Sequence, residues 1–462
     1  MENRSLTDII VSPGANLRTA MELIDRNGLR GVFVCDEDRE LLGIIMDADI
    51  RRAMLNNLDM SASVRTVMKT SPFIIPRELS TAEKKRALIK SGKIMAPIVD
   101  AHRRVQGYIY LSDVMDDLCN DLTDNNHNNN SILQPAKVLV IGGVGYIGSM
   151  LVDRLIRLGY QVRVLDLLLY GKDALRHFEA DSRKFEFVRG DCRDEELVRR
   201  LLEGADAVVH LGEIVGDPAC RVNREFTIET NYAATQMIVE QCVRRGIKRL
   251  VFASSCSVYG QNDQEVDETS HLNPVSLYAR CKIESEKAIQ SFDYDHFCPT
   301  ILRLGTVHGK SFRQRFDLVV NLLAIKALAE GNIKIFGGAQ WRPFISVEDV
   351  CRGIIAVLQA ERSKVRNQVF NLGDSRENYQ LLQIAESIKK HIPEVAVEVL
   401  ETHQDPRNYR VSFEKIKHLL KFTCQNTVAD SIRDFVTAYR HDNLYRDYQD
   451  QKYHNVLALK EE

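Results

Sequence analysis

Apolar and polar positions alternate in short blocks along the 462-residue chain, and in its first quarter the blocks repeat. The stretches "FVCDEDRELLGIIMDADI" and "PIVDAHRRVQGYIYLSDV" share one plan: Asp36, Gly43 and Asp49 return 64 residues later as Asp100, Gly107 and Asp113. Each copy predicts an apolar strand, a polar turn, a second apolar strand beginning at Gly, and an acidic residue opening a helix. Self-similarity at a fixed offset marks an internal duplication. The segment "NDLTDNNHNNNSILQP" (120–135) breaks the pattern. Rich in Asn and Asp, poor in apolar side chains and closed by Pro135, it reads as a solvated linker. Beyond it, "AKVLVIGGVGYIGSMLVDRLIRLGYQVRVLD" gives a β-branched run, a glycine-rich turn, an amphipathic helix and a second strand ending in an acid. That is a βαβ unit. "KFEFVRGD" (184–191), "ADAVVHL" (205–211), "IKRLVFASS" (247–255) and "CPTILRLG" (298–305) continue the alternation as strands separated by helical stretches. The pattern predicts an α/β fold with a doubly wound parallel sheet.

The boundaries that follow are residues 1–119, the linker 120–135, a large unit 136–445 and a charged tail 446–462. The tail's "DNLYRDYQDQKYHNVLALKEE" (442–462) predicts a charged helix. A composition of 44% hydrophobic and 27% charged residues fits a folded chain of two or three domains. A net charge of −2 offers no basic field to a nucleic-acid backbone, which sets nucleic acid aside as a main partner. "MENRSLTDII" lacks the basic-then-apolar pattern of a secretory signal, and no apolar run approaches the ~20 residues that span a bilayer. A cytoplasmic protein without a membrane partner is expected. Ten cysteines (Cys35, Cys119, Cys192, Cys220, Cys242, Cys256, Cys281, Cys298, Cys351, Cys424) form no CxxC motif or Cys/His cluster, so reduced thiols and no metal site are expected.

Candidate chemistry begins at the glycine-rich turn. Gly142, Gly145 and Gly148 have GxxGxxG spacing between a strand and a helix. The first lets the strand turn tightly, the second lets backbone approach a pyrophosphate, and the third lets helix pack on strand. The helix start at Tyr146 and Ile147 then offers unpaired N–H groups to phosphates. Asp166, eighteen residues after Gly148, is placed to accept hydrogen bonds from ribose hydroxyls and to repel a 2′-phosphate. The expected cofactor is NAD rather than NADP. Asp191, Gly212 and Ser255 fall at the carboxyl ends of later strands, where ligands gather in such folds.

In "SLYARCKIESEK" (276–287), Tyr278 precedes Lys282 by one helical turn, and Ser255 precedes Tyr278 by 23 residues. A phenol is a poor base at neutral pH, but a nearby ammonium and a cationic nicotinamide both favour phenolate. The serine can hold a substrate oxygen while the phenolate takes its proton. Hydride leaving the same carbon for the nicotinamide would give a ketone.

Residues 136–440 resemble the extended short-chain dehydrogenase/reductase family, and within it the NAD-dependent nucleotide-sugar epimerases and dehydratases. The matching stretches are "GGVGYIG", "RGDCRD", "VVHLGEIVGDP", "TNYAAT", "SSCSVYG", "YARCK", "ILRLGTVHG", "GGAQWRPFISVEDV" and "FNLGDSRENY", in family order. The resemblance implies a Rossmann-type sheet with a smaller substrate-binding subdomain, a homodimer or higher homo-oligomer, and a nucleoside-diphosphate sugar as substrate. It implies Ser255, Tyr278 and Lys282 as catalytic residues, with Lys282 also on the nicotinamide ribose. Asp191 and Cys192 would border the adenine, Leu211 and Gly212 would line the cofactor, and Asn231 would either support the site or simply bond within the core. Arg342 and Arg407 would either meet the diphosphate or form surface ion pairs. Glu213, Ser255 and Cys256 would lie against the sugar, and Trp341 is a core anchor or a platform for the base.

Family 4,6-dehydratases carry acids at the two positions after the catalytic hydroxyl, whereas Cys256 and Ser257 stand there in this chain. The expectation is therefore an epimerase that oxidises and re-reduces one carbinol carbon through a keto intermediate, with Tyr278 as acid and base. A 4,6-dehydratase or ketoreductase is the alternative, to which Glu213 lends a carboxylate where small residues are usual. Thr306, His308 and Lys310 also depart from the usual Asn, Tyr and Pro, so the substrate need not be UDP-galactose.

The duplicated segment, about 5–118, resembles a tandem pair of CBS modules, an α+β arrangement that often holds an adenine nucleotide. Asp49 and Asp113 match that family's ribose-binding aspartate, while Met46 and Tyr110 replace its hydroxyl residue. Both aspartates read equally as helix N-caps. A CBS-based adenine-nucleotide sensor with a non-catalytic NAD domain remains a further alternative.

Overall fold

The computed structural model describes residues 6–27, 29–91, 93, 95–110, 136–178, 184–292, 296–400 and 407–459. Asp113, Cys119 and the linker 120–135 lie outside the described residues. Contacts divide the chain into two compact units, Met1–Asn129 and Asn130–Glu462.

The first unit carries the duplication into three dimensions. Val11 pairs in parallel with Val34, which pairs antiparallel with Gly43. Sixty-four residues on, Ile75 pairs in parallel with Ile98, which pairs antiparallel with Gly107. Even the turns repeat. The Asp36 carboxylate accepts from the N–H groups of Asp38 and Glu40, as Asp100 does from His102 and Arg104. An Asp in this position mimics a backbone turn with its side chain. Asp49 takes the capping role at the start of the helix Asp47–Leu55: its carboxylate accepts from the Met46 N–H at 3.1 Å and meets the Lys69 ammonium at 3.0 Å.

In the second unit a seven-stranded, all-parallel sheet runs in the order Gln368–Leu372, Cys298–Leu304, Arg249–Ser255, Ala207–His210, Lys137–Ile141, Gln161–Asp166, Phe185–Arg189. The chain starts in the middle, winds one way for three strands, then crosses over and winds the other way. Strands covered on both faces must be apolar throughout, and Cys298–Leu304 is buried at every position. Val138, Val140, Val162, Val164, Val209 and Leu302 belong to one buried core, against which the helix Tyr146–Arg157 packs Leu151, Val152 and Leu155. The switch in winding direction falls between Lys137–Ile141 and Ala207–His210, which opens a crevice at their carboxyl ends.

A second core gathers Val320, Leu323, Ile333, Ile335, Phe344, Ile384, Ile388 and Ile432 under short strand pairs and the helices Val319–Glu330, Leu381–His391 and Val428–Arg440. This is the smaller subdomain. The tail departs from expectation: residues 441–459 form turns, a 3₁₀ turn Gln451–Tyr453 and one helical turn Asn455–Ala458, rather than a charged helix. Tyr445, Tyr448 and Tyr453 pack around Phe316, with ring centroids 5.1, 6.3 and 5.2 Å away. Burial of those rings sets the path of the chain, and the charges between them face outward. Among the described residues no helix is long and apolar enough to cross a membrane, no cysteine is paired, and no cluster of three His, Cys, Asp or Glu could hold a metal ion.

Candidate active site

The glycine turn is built for close approach. Gly142 holds φ +82°, and a Cβ there would lie 2.7 Å from the Gly212 backbone. A Cβ on Gly148 would run into the Gly142 carbonyl oxygen. Gly145 caps the helix Tyr146–Arg157 without a side-chain acceptor, leaving its first N–H groups for a ligand. Asp166 receives the N–H groups of Val144 and Leu168 at 2.9 and 2.8 Å, which locks the turn onto the next strand and leaves further lone pairs facing the cleft. Burial raises its pKa above the ordinary carboxylate value, with those two hydrogen bonds pulling the other way.

Asp166, Gly190, Asp191, Cys192, Leu211, Gly212 and Glu213 line one end of the cleft. Asp191 is held by Arg193 at 2.7 Å. The Tyr146 side chain is turned away to the Gly309 carbonyl at 2.7 Å, so its contribution to the cleft is backbone.

A second cavity, of about 230 Å³, continues from the glycine turn and is lined by Ser255, Ser257, Tyr278, Lys282, Thr306, Arg313, Arg315, Arg407 and Tyr409. Ser255 ends its strand and caps the following 3₁₀ turn, accepting from the Ser257 N–H at 3.2 Å. Tyr278 is the second residue of the helix Leu277–Gln290, whose N-cap Ser276 accepts from Ala279. The Ser255 hydroxyl favours the Tyr278 phenolate, but burial first, then the charge of Glu213, pushes the phenol pKa well above its ordinary value. Lys282 stands 5.7 Å from the Tyr278 ring centroid and 4.6 Å from that of Phe252. Its ammonium is buried, donating to the Ala253 carbonyl and to Glu213.

Glu213 is placed by the loop after Ala207–His210. Asn231 pins that loop, accepting from the Ile214 N–H at 2.8 Å and donating to the Ile214 carbonyl at 2.7 Å. Asn231 thus acts within the core, as a positioning residue for Glu213. One Glu213 oxygen, Oε2, meets Lys282, while Oε1 is buried without a partner among the described residues.

Two expectations need correction, those for Cys256 and Arg342, while His308 is the packed residue expected of it. Cys256 does not face the sugar: its thiol donates to the Arg303 carbonyl, and the residue belongs to a buried cluster with Val258 and Tyr259. The chain turns into a 3₁₀ helix after Ser255, so strand alternation no longer decides which side chain points to the cavity. Ser257 takes that place. His308 is fully buried, bonded to Ser431 at 2.8 Å, and burial pulls its pKa down to about 3, so it is a neutral packed ring. Arg342 stands behind the cavity wall, its guanidinium 5.5 Å from the ring centroid of Tyr409 and donating to the Trp341 carbonyl at 2.7 Å. Arg407 does line the cavity and pairs with Asp217 at 3.4 Å. Trp341 carries the Arg410 guanidinium 5.5 Å over its ring.

Sequence reasoning passed over Arg313 and Arg315. Arg315 is bonded in a fork to Asp317 at 2.9 Å, but Arg313, 7% exposed, stacks 4.3 Å from the Tyr170 ring centroid with Nε and Nη2 unbonded. Burial, then the charge of Arg315, lowers its pKa to about 10. The signal was present in "KSFRQRFD", two arginines flanking one residue just after a strand end, and it is an anion-binding arrangement. A glycine turn with free N–H groups, a ribose-facing acid and an unfilled carboxylate oxygen beside Lys282 together fit a dinucleotide.

A model of the NAD-dependent epimerase/dehydratase family matches residues 138–373, and a CBS-domain model matches residues 6–56. The UDP-glucose 4-epimerase of Lactobacillus helveticus is 32% identical over 273 residues, 55% of this chain and 81% of that protein. The dTDP-glucose 4,6-dehydratase of Streptomyces niveus is 28% identical over 331 residues, 67% and 94% of the two chains. Among solved structures, the UDP-glucuronic acid 4-epimerase of Bacillus cereus, in complex with UDP-glucuronic acid and NAD, superposes with a TM-score of 0.60 at 26% identity. It covers 66% of this chain and 99% of its own.

Proposed function

The chain belongs to the NAD-dependent epimerase/dehydratase family, and on that premise we propose that it is a nucleotide-sugar epimerase that oxidises and re-reduces one carbinol carbon. One observation carries the reading: Tyr278, one turn from Lys282, opens with Ser255 on the same cavity, while neither position after Ser255 supplies a carboxylate. NAD bound along the glycine turn supplies hydride acceptance and donation. Ser255 orients the reacting hydroxyl of the sugar, and Tyr278 takes its proton and later returns it. Lys282 contributes the positive charge that favours the phenolate. Arg313, Arg315 and Arg407 form a cationic wall suited to a diphosphate, and Arg313 retains the free donors to bind one.

Dehydration is the second reading, favoured by the unpartnered oxygen of Glu213 in the same cavity. The names of the relatives put UDP- and dTDP-sugars first among substrates. Mass spectrometry after incubation with NAD and a panel of UDP-, dTDP-, GDP- and CDP-sugars tests the proposal. A product of equal mass and new retention time supports it, loss of water transfers the assignment to dehydration, and no conversion of any sugar contradicts both.

We further place the chemistry in the cytoplasm and the assembly at a homodimer, checked by light scattering. The segment 1–119, a tandem CBS pair, is proposed to bind an adenine nucleotide with Asp49 retained as a cap; AMP or ATP should raise the chain's melting temperature. The large unit 136–445 is proposed to bind NAD without 1–119.

A further inference from the structure

Among the described residues, Glu213 is the one carboxylate that lines both cavities bordering the glycine turn. Its side chain is 2% exposed, with Oε2 on Lys282 and Oε1 buried without a hydrogen-bond partner among the described residues. A pair that served only the fold would have no use for a buried, unfilled acceptor on a residue that lines a cavity, because the desolvation of that atom is then uncompensated. The Lys282–Glu213 pair is also neutral as a unit, so the charge of whatever enters beside it sets the local balance.

On the reading of this cleft as the NAD site, the nicotinamide end lies beside Lys282. That ring is cationic when oxidised and neutral when reduced, and the rest of the dinucleotide is the same in both states. A fixed carboxylate in a site of low polarity therefore stabilises the oxidised form alone.

We propose that Glu213 selects the oxidation state of the cofactor: it anchors Lys282 through one oxygen and, through the other, makes this protein hold NAD⁺ more tightly than NADH. The bias suits an epimerase, which ends each turnover with its cofactor oxidised.

Dissociation constants for NAD⁺ and NADH, measured by calorimetry and nicotinamide fluorescence on the full chain stripped of bound nucleotide, test the proposal. The native protein is expected to favour NAD⁺ by about tenfold, which places the two-electron potential of the bound couple about 30 mV lower than in solution. In Glu213→Gln the NAD⁺ affinity should fall while that for NADH stays, bringing the ratio towards one, and Glu213→Asp should keep the preference. Native protein that binds NADH as tightly as NAD⁺ overturns the proposal, as does a folded Glu213→Gln variant that weakens both nucleotides equally. Should Glu213→Gln not fold, the native ratio decides alone. Failure of the NAD reading itself looks different, since then neither nucleotide binds any variant.

Discussion

Two buried ion pairs leave the same face of one helix, a single turn apart, and they are finished differently. On Leu277–Gln290, Glu286 meets Arg303 in a fork, with Nη2 to Oε2 at 2.7 Å, and also accepts from the Ser254 hydroxyl. Arg303 Nη1 goes on to the Tyr259 hydroxyl at 2.9 Å, which in turn donates to Asn371 at 2.8 Å. Four residues earlier, Lys282 meets Glu213, and that network stops at a buried, unfilled oxygen of a residue that lines the cavity. A closed network ties strands Arg249–Ser255 and Cys298–Leu304 to the helix. An open one is completed by something that binds. Saturation, rather than burial or charge, separates the pair that holds the fold from the pair that serves the chemistry.

That contrast can be broken at several points. The largest effect belongs to Tyr278→Phe, which removes the proton carrier: turnover should fall about a thousandfold while NAD⁺ affinity holds, as single-turnover kinetics and calorimetry would read. Next comes Glu286→Gln, which strands the Arg303 charge in the core and should cost about 3–5 kcal/mol in urea unfolding without altering the NAD⁺ to NADH ratio. Glu213→Gln should cost clearly less stability, because Lys282 keeps the Ala253 carbonyl and borders a cavity water can enter. If the two substitutions cost the same, saturation is not the distinguishing property.

Arg313→Met should raise the KM for the nucleotide sugar about tenfold, by loss of a charge-assisted hydrogen bond, and leave the melting temperature unchanged or higher. The smallest effect concerns pH. The charge of Glu213 adds to burial in raising the Tyr278 pKa, so its removal lowers that pKa and forms the phenolate at lower pH. The ascending limb of kcat/KM should move to lower pH in Glu213→Gln, by under about one unit. A shift to higher pH would reverse the assigned sign.

The features legible in the sequence were those written in local spacing. The 64-residue repeat survives as identical register, the glycine spacing as a turn pressed against Gly212, and the Tyr278–Lys282 interval as one helical turn. The illegible ones depend on distant partners or on a change of period. Glu213 and Lys282 stand 69 residues apart, so a mild departure after "HL" gave no hint of an ion pair. Cys256 was misplaced because the strand ends one residue before it. Arg313 lies in no periodic element, and the tail's tyrosines were hidden among charges that face solvent.

The most direct measurement is conversion of a nucleotide sugar in heavy water, followed by mass spectrometry and proton NMR of the product. Oxidation and re-reduction of one carbon carry the same hydrogen out and back, so the account predicts a stereoisomer of unchanged mass with no deuterium on carbon. A product that has lost water and gained deuterium on the ring would contradict it and make Glu213 the acid of a dehydratase.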